Sequence, residues 1–203
     1  MQRIGLIAAS LLMTTTSHAA DIHKVFGWEL HKPIPIRECK RTAGEYGGPS
    51  FYSELYPDAG ACYEWSDEEN HGRKLGTGKM MVMWSGSSIP QLVSGQITFA
   101  RIVNGLLEGV SFYTAGIRSQ EFILSGLTEK YGAPTSSQQP ELQTTIGARF
   151  KSTSAQWDLG DVLVYFNSAD GRIDSGIVNI DTPLSIAKQN EAADKVSRNR
   201  PSL

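Results

Sequence analysis

The one short catalytic pattern in this chain is Ser185-Ile-Ala-Lys188. On a helix, an S-x-x-K run sets a hydroxyl and an amine on one face, where the amine can help turn the hydroxyl into a nucleophile. With 21 Ser and 9 Lys in 203 residues, about one such match arises by chance. The S-D-N and K-T-G companions of that nucleophile are missing, so the match alone predicts no catalysis. A G-x-S-x-G elbow, an H-E-x-x-H helix, a phosphate-binding P-loop and a dinucleotide fingerprint are missing too.

Paired carboxylates offer a second chemistry. Glu64, Asp67, Glu68 and Glu69 lie beside Tyr63 and Trp65. Two acids across a cleft suffice for a glycoside or peptidoglycan hydrolase, and aromatic rings stack on sugars. A carboxylate-dependent cell-wall glycan hydrolase is therefore an alternative expectation, although the run Asp67-Glu-Glu69 also suits a solvated turn. Metal binding has less behind it. Asp67, Glu69 and His71-Gly72 resemble the start of a calcium loop, but Gly78 stands where a bidentate Glu is required. His23 and His31 are eight positions apart, which separates them by roughly 26 Å in an extended chain, too far to share an ion. No cofactor and no metal site are expected.

Cys39 and Cys62 are the two cysteines. An even pair in an exported chain most simply forms one disulfide, worth roughly 3 kcal/mol for a loop of this length. A catalytic thiol is the competing role; it would need a base such as His71 and a reduced environment. Within and beside the Cys39 to Cys62 loop, Tyr46, Phe51, Tyr52, Tyr56, Tyr63 and Trp65 place six of 18 aromatic residues in twenty positions. Such rings favour binding surfaces because they offer contact area at low entropic cost. They are the candidate binding residues. The competing role for them is a satellite core beneath a long loop.

The elements that must position these groups follow from pattern. Residues 20–78 are rich in Gly, Pro and turn formers, so a disulfide-looped segment with short extended pieces at 25–30 and 62–65 is expected there. Residues 80–84, 97–103 and 107–114 read as strands, the last two joined through Asn104-Gly105, which tolerates a tight hairpin turn. A helix is predicted over 119–131, capped by Ser119, with Ile123, Leu124, Leu127 and Tyr131 on its apolar face and Gly132 and Pro134 as its stop. The order then recurs. Residues 146–157 read as a strand or bent pair, 162–167 and 176–181 as strands turning at Asp170-Gly171. Thr182-Pro183 opens a helix towards Lys195. Two degenerate β-β-β-α repeats, 79–131 and 144–197, are therefore expected to form one compact α+β core at 79–197. Trp84 and Trp157 occupy comparable core positions, the segment before residue 79 wraps the edge, and 198–203 is a flexible tail.

The predicted helix, its Tyr131-Gly-Ala-Pro134 stop and the following strands resemble a piece of the small α+β envelope domains of the BamE type. That likeness spans about fifty residues and implies a fold rather than an activity. The lipid-modified Cys of that family has no counterpart.

Composition sets the outer limits: 40% hydrophobic, 9% aromatic and 20% charged residues suit an ordinary globular protein. Met1-Gln-Arg3, the apolar run 4–13 and Ser17-His-Ala19 read as a secretory signal peptide over residues 1–19. The run is about half the roughly 20 residues that cross a bilayer, so a periplasmic or secreted protein without membrane insertion is expected. Without residues 1–19 the net charge is -3, with the basic residues scattered, which speaks against nucleic acid as a partner. The function expected is non-catalytic: an exported binding or accessory protein, monomeric or weakly associated, that recognises an envelope protein or a cell-wall polymer. A structural component of an exported assembly is a further alternative.

Overall fold

A computed structural model of the chain describes residues 21–40, 42–43, 49–50, 60–66, 71–143 and 147–198. The expected signal peptide at 1–19 and four of the candidate binding residues, Tyr46, Phe51, Tyr52 and Tyr56, lie outside the described residues. So do Asp67, Glu68 and Glu69.

In chain order the elements are β1 (Lys24–Val25), β2 (Trp28–Glu29), β3 (Arg37–Glu38), β4 (Thr42–Ala43), β5 (Pro49–Ser50) and β6 (Ala61–Trp65), then α1 (His71–Leu75). There follow β7 (Gly78–Trp84), β8 (Ile97–Val103), β9 (Leu106–Thr114) and α2 (Gln120–Tyr131). The remainder is β10 (Ser136–Gln138), β11 (Glu141–Gln143), β12 (Arg149–Lys151), β13 (Ser154–Asp158), β14 (Leu163–Arg172), β15 (Ser175–Asp181) and α3 (Pro183–Arg198). Mixed α+β structure, mostly sheet, is what the turn and strand signals predict. No described helix is long and apolar enough to cross a membrane.

Among the described residues one sheet has nine strands, in the order β10-β13-β14-β15-β9-β8-β7-β6-β3, antiparallel throughout except for the parallel pair β3 and β6. Period-two alternation divides its faces. Met80, Val82 and Trp84 of β7, Thr98, Ala100 and Ile102 of β8, Val110 and Phe112 of β9, Val164 and Phe166 of β14 and Val178 and Ile180 of β15 are all buried on one side. Ile123, Leu127 and Tyr131 of α2 close over that side. Each such Leu or Ile contributes about 1.5–3 kcal/mol of hydrophobic stabilisation. Trp84 and Trp157 are both core residues, and both indole N–H groups are satisfied, by Thr98 Oγ1 at 3.0 Å and by the Gly132 carbonyl at 2.8 Å.

The N-terminal segment does more than border this core. Phe26 and Gly27 carry positive φ angles of 55° and 84°, which folds β1 onto β2 and lays the hairpin on the core face of the sheet. Val25, Trp28 and Leu30 are buried there, and Phe26 makes ring contacts with Trp28, Trp84 and Phe112. Those contacts offset the strain of a positive φ at a bulky residue. β3 and β6 do run along an edge of the sheet, where Cys39 and Cys62 form the disulfide that closes the aromatic segment. The bond is inert towards nucleophilic chemistry, so the catalytic-thiol alternative falls.

Other boundaries depart from the pattern in explicable ways. Ser119 does not cap α2; a 3-10 turn over Gly116–Ser119 precedes the helix, and the Ser119 hydroxyl donates to the Gly116 carbonyl. Asn104 and Gly105, at φ 51° and 81°, turn the β8-β9 hairpin as expected. Asp170-Gly171 does not turn β14 into β15. Arg172 pairs with Ser175, so the turn residues are Ile173 and Asp174, and the ladder is irregular between Asn167 and Arg172. The Ile173 carbonyl receives the Ile117 N–H at 3.0 Å, which pins that turn to the start of α2. The meanders β7-β8-β9 and β13-β14-β15 meet edge to edge through β9 and β15. Their helices lie on opposite faces of the sheet, α2 on the core and α3 against Arg101, so the two units do not match as packed wholes.

Candidate functional site

Where β9 begins beside the end of β15, charged groups converge that are far apart in sequence. A register irregularity between Arg101 and Ile102 lets Glu108 sit outside the regular β8-β9 pairing. Its carboxylate is only 2% exposed, accepts the Thr182 hydroxyl at 2.6 Å and lies 3.2 Å from His31 Nδ1. A buried carboxylate stripped of water is tolerable only with such partners. Thr182 also receives the Ser185 N–H at 3.2 Å, so the residue read as the cap of α3 does cap it and is itself held by the sheet.

Immediately beside this, Asp181 takes Arg101 in a two-pronged ion pair, with Nε at 2.6 Å and Nη2 at 2.8 Å. Planar guanidinium and carboxylate match in that geometry. Arg101 further donates to Ser111 Oγ and to the Val110 carbonyl. Ser185 donates to Asp181 Oδ1 at 2.6 Å, and Gln189 donates to both. Gly109 lies beneath the cluster because a Cβ there would press on Asp181, Arg101 Nε and Ser185 Oγ. The S-x-x-K serine is thus 1% exposed and committed to a carboxylate, while Lys188 pairs with Glu191 at 2.8 Å. Hydroxyl and amine share one side of α3, as the spacing predicts, but each is engaged with an acid rather than with the other.

Beyond Ser185 the helix leaves the sheet. Ser185 is the buried residue of α3, and positions 187 to 198 are all exposed. Between α3 and the ends of β7 and β8 runs an open groove of about 710 Å³. The sheet wall supplies Lys79, Arg101 and Val103; the helix wall supplies Lys188, Gln189, Glu191, Ala192 and Lys195; Leu75, at the end of α1, closes the far end. That end is fixed by two hydrogen bonds, from the Gly105 N–H to the Gly76 carbonyl at 2.6 Å and from the Asn104 N–H to Thr77 Oγ1 at 2.9 Å. Lys188 and Lys195 flank Glu191 at 2.8 and 3.0 Å, and their hydrogen bonds hold its carboxyl well below the ordinary value of 4.5, at about 2. Lys79 lies over the Phe99 ring at 3.9 Å.

The two candidate binding residues that are described, Tyr63 and Trp65, sit elsewhere. Tyr63 and Trp65 are half-buried in β6, meet edge to face at 6.3 Å and pack against the main core. Glu64, between them, points to the opposite face of the strand, towards Cys62 and Met81. Rings and carboxylate therefore do not share a cleft. Glu64 Oε1 is buried and has no hydrogen-bond partner among the described residues.

His23 and His31 are not far apart. The β1-β2 hairpin brings their ring centroids to 6.1 Å, with His23 3.1 Å from Asp161 and His31 on Glu108. The separation drawn from strand rise fails because the segment turns at Phe26-Gly27. Even so, among the described residues no three His, Cys, Asp or Glu side chains are grouped to hold a metal ion.

Sequence reasoning missed the groove and the Arg101–Asp181 and His31–Glu108 pairs, whose members are 80 and 77 positions apart. The available signals were a Glu inside the apolar run Leu106–Val110 and an Asp-Thr-Pro at the entry of a helix. Compared with family models, with curated proteins and with solved structures, the chain matches none.

Proposed function

We propose that the protein is an exported, non-catalytic binding protein that recognises an envelope protein or a cell-wall polymer, and that the groove beneath α3 is its ligand site. The observation that carries this reading is the contrast between the two adjacent regions. Reactive side chains of the Arg101, Glu108, Asp181 and Ser185 cluster are buried and saturated with one another, which suits a fold anchor. The groove beside them is open, of ligand-sized volume, and mixes apolar carbon with a few charged groups. Export is supported by the signal-like N-terminus and by a disulfide, which persists in oxidising compartments. A periplasmic or secreted address follows.

The test is retention of envelope proteins and of purified sacculi on the immobilised oxidised protein, compared with Ala192→Trp, whose indole fills the groove. Saturable retention by the native protein that is lost in A192W, with unchanged circular dichroism, is the expected result. Retention that survives A192W but disappears when Tyr52, Tyr56 and Trp65 are replaced by Ala would move the site to the aromatic segment 46–65. Release of soluble fragments from sacculi would favour the hydrolase instead.

A further inference from the structure

The face of the large sheet opposite the core forms a second surface, on the other side of Lys79 and Arg101 from the groove, and we infer that it binds an extended, uncharged polysaccharide. Val110 and Phe112, Val164 and Phe166, and Val178 and Ile180 point into the core, so the residues alternating with them point away from it. The ladder registers then set Gln156, Tyr165, Asn179, Ser111, Phe99 and Met81 side by side in one row across β13, β14, β15, β9, β8 and β7. Two positions along each strand, Asn167, Ile177 and Tyr113 form the middle of a neighbouring row. None of these residues carries a formal charge, in a chain where 20% do.

Two tyrosines open onto this face. Tyr113 is 42% exposed, and Phe99 meets it edge to face at 6.4 Å. Lys79 already covers the Phe99 ring, so Phe99 props Tyr113 and Tyr113 is the open member of the pair. Tyr165 is partly exposed on β14. β15 lies between β14 and β9, and the two tyrosines stand in adjacent rows, so strand spacing and rise put their backbones roughly 12 Å apart. Rings at that separation engage different sugars of one chain. A pyranose turns its axial C–H groups to the negative face of an aromatic ring, and a ring held by its neighbour loses little entropy on contact.

Amides stand beside the tyrosines. Asn179 and Gln156 flank Tyr165 on its two sides, and Asn167 lies across Ile177 from Tyr113. Each amide both donates and accepts, as sugar hydroxyls do. Charge decides among the ligand classes. An acidic polymer finds no cation in these rows, and a purely apolar ligand would leave the amides unpaired. Arg is enriched beside the aromatic residues of protein interfaces, but Arg101, on the bordering row, is already matched by Asp181. An uncharged polymer needs no counter-charge. This site goes beyond the groove, whose lining holds no aromatic ring among the described residues, and it leaves the groove to an envelope protein.

Isothermal titration calorimetry of the oxidised full chain with the β-1,4-linked hexamers of N-acetylglucosamine and of glucose tests the site. Saturable binding of at least one hexamer is expected, with a Kd below about 1 mM. It should weaken at least about tenfold when Tyr113→Ala and Tyr165→Ala are combined, and stay within about threefold in Tyr113→Phe, which keeps the ring. Affinity should change less than about twofold between about 0.05 and about 0.5 M sodium chloride, because no ion pair forms. A192W, which fills the groove, should bind the hexamer as the native protein does. Where Y113A/Y165A lowers the sheet signal in circular dichroism, the ring-proton NMR signals of Tyr113 and Tyr165 in the native protein decide instead, and they must shift saturably with the hexamer.

Failure of both hexamers to bind, or binding that a folded Y113A/Y165A leaves intact, overturns the inference. So does acidic polygalacturonate that binds as tightly as either hexamer. Retention of an envelope protein that Y113A/Y165A abolishes, with neither hexamer bound, would make the face a protein interface and overturns the polysaccharide as well. Hexamer binding lost in A192W would put the sugar in the groove, so this site falls and the groove stands. If the hexamers bind as expected while A192W retains envelope proteins as the native protein does, the groove falls and the sheet face stands.

Discussion

Gly109 is the point on which the polar anchor of α3 rests. A methyl at this position would lie 2.8 Å from Arg101 Nε and 3.0 Å from Ser185 Oγ, and closer still to Asp181. Gly109→Ala must therefore break the bidentate pair or expel Ser185, and we expect a loss of about 2–4 kcal/mol in urea unfolding. A change below about 0.5 kcal/mol would show that the cluster anchors nothing. Tyr131 gives the opposite sign. Its hydroxyl is buried without a partner among the described residues, and burial pushes the phenol upward so that it stays protonated. Tyr131→Phe removes an unsatisfied group and should stabilise the fold by about 1 kcal/mol in the same assay; a loss of similar size would mean that the hydroxyl has a partner.

Glu191 titrates near 2 in the folded protein instead of at 4.5. Because that value is depressed, its contribution is complete above the unfolded value and is lost only as pH falls through about 2. Carboxyl-carbon NMR should give Glu191 a midpoint near 2, with the lysine pairs on α3 intact at pH 4; a midpoint near 4.5 would contradict it. Of these groups, the sequence made the Ser185 to Lys188 spacing visible because it is local. Arg101 with Asp181 was not visible, since a pair 80 positions apart exists only once β8, β9 and β15 are in register.

At the level of elements, strands with a clean period of two and helices with strong stops could be read directly. Ile97–Val103 alternates Thr98, Ala100 and Ile102 inward, and Gly132, at φ 81°, ends α2 where a left-handed residue is needed. The β1-β2 hairpin escaped because its first turn position is Phe26, a residue that rules of turn composition reject. Three ring contacts outweigh that local preference. Asp170-Gly171 misled for the converse reason: its composition is that of a turn, yet β14 continues to Arg172, whose guanidinium pairs with Asp174 inside the true turn. The disulfide binds β3 to β6 at the sheet edge and closes a separation of 23 positions. Reduction, or Cys39→Ala with Cys62→Ala, should cost about 3 kcal/mol in denaturant unfolding while leaving the far-UV spectrum of the remaining sheet in place. Complete loss of the spectrum at neutral pH without denaturant would mean that the edge holds the whole sheet together.

Across the whole molecule the sheet divides two kinds of surface. On one face the N-terminal hairpin and α2 close a continuous core, with Phe112, Trp157 and Phe166 almost without exposure. On the other, α3 is fastened at its first turn through Thr182 and Ser185 and then stands away, leaving the lysine-walled groove. A helix held this way has a firm N-terminal end and a free C-terminal half, so its stability should depend on whether the groove is filled. Composition could place the protein among globular chains, but it could not reveal this asymmetry, which arises from sheet topology.

Amide hydrogen exchange along α3, free and in the presence of the retained partner, tests the account most directly. It predicts slow exchange in β9 and β15 throughout, and fast exchange over residues 187–198 in the free protein that becomes markedly slower on binding. Protection of 187–198 in the free protein equal to that of the sheet, and unchanged by the partner, would contradict it.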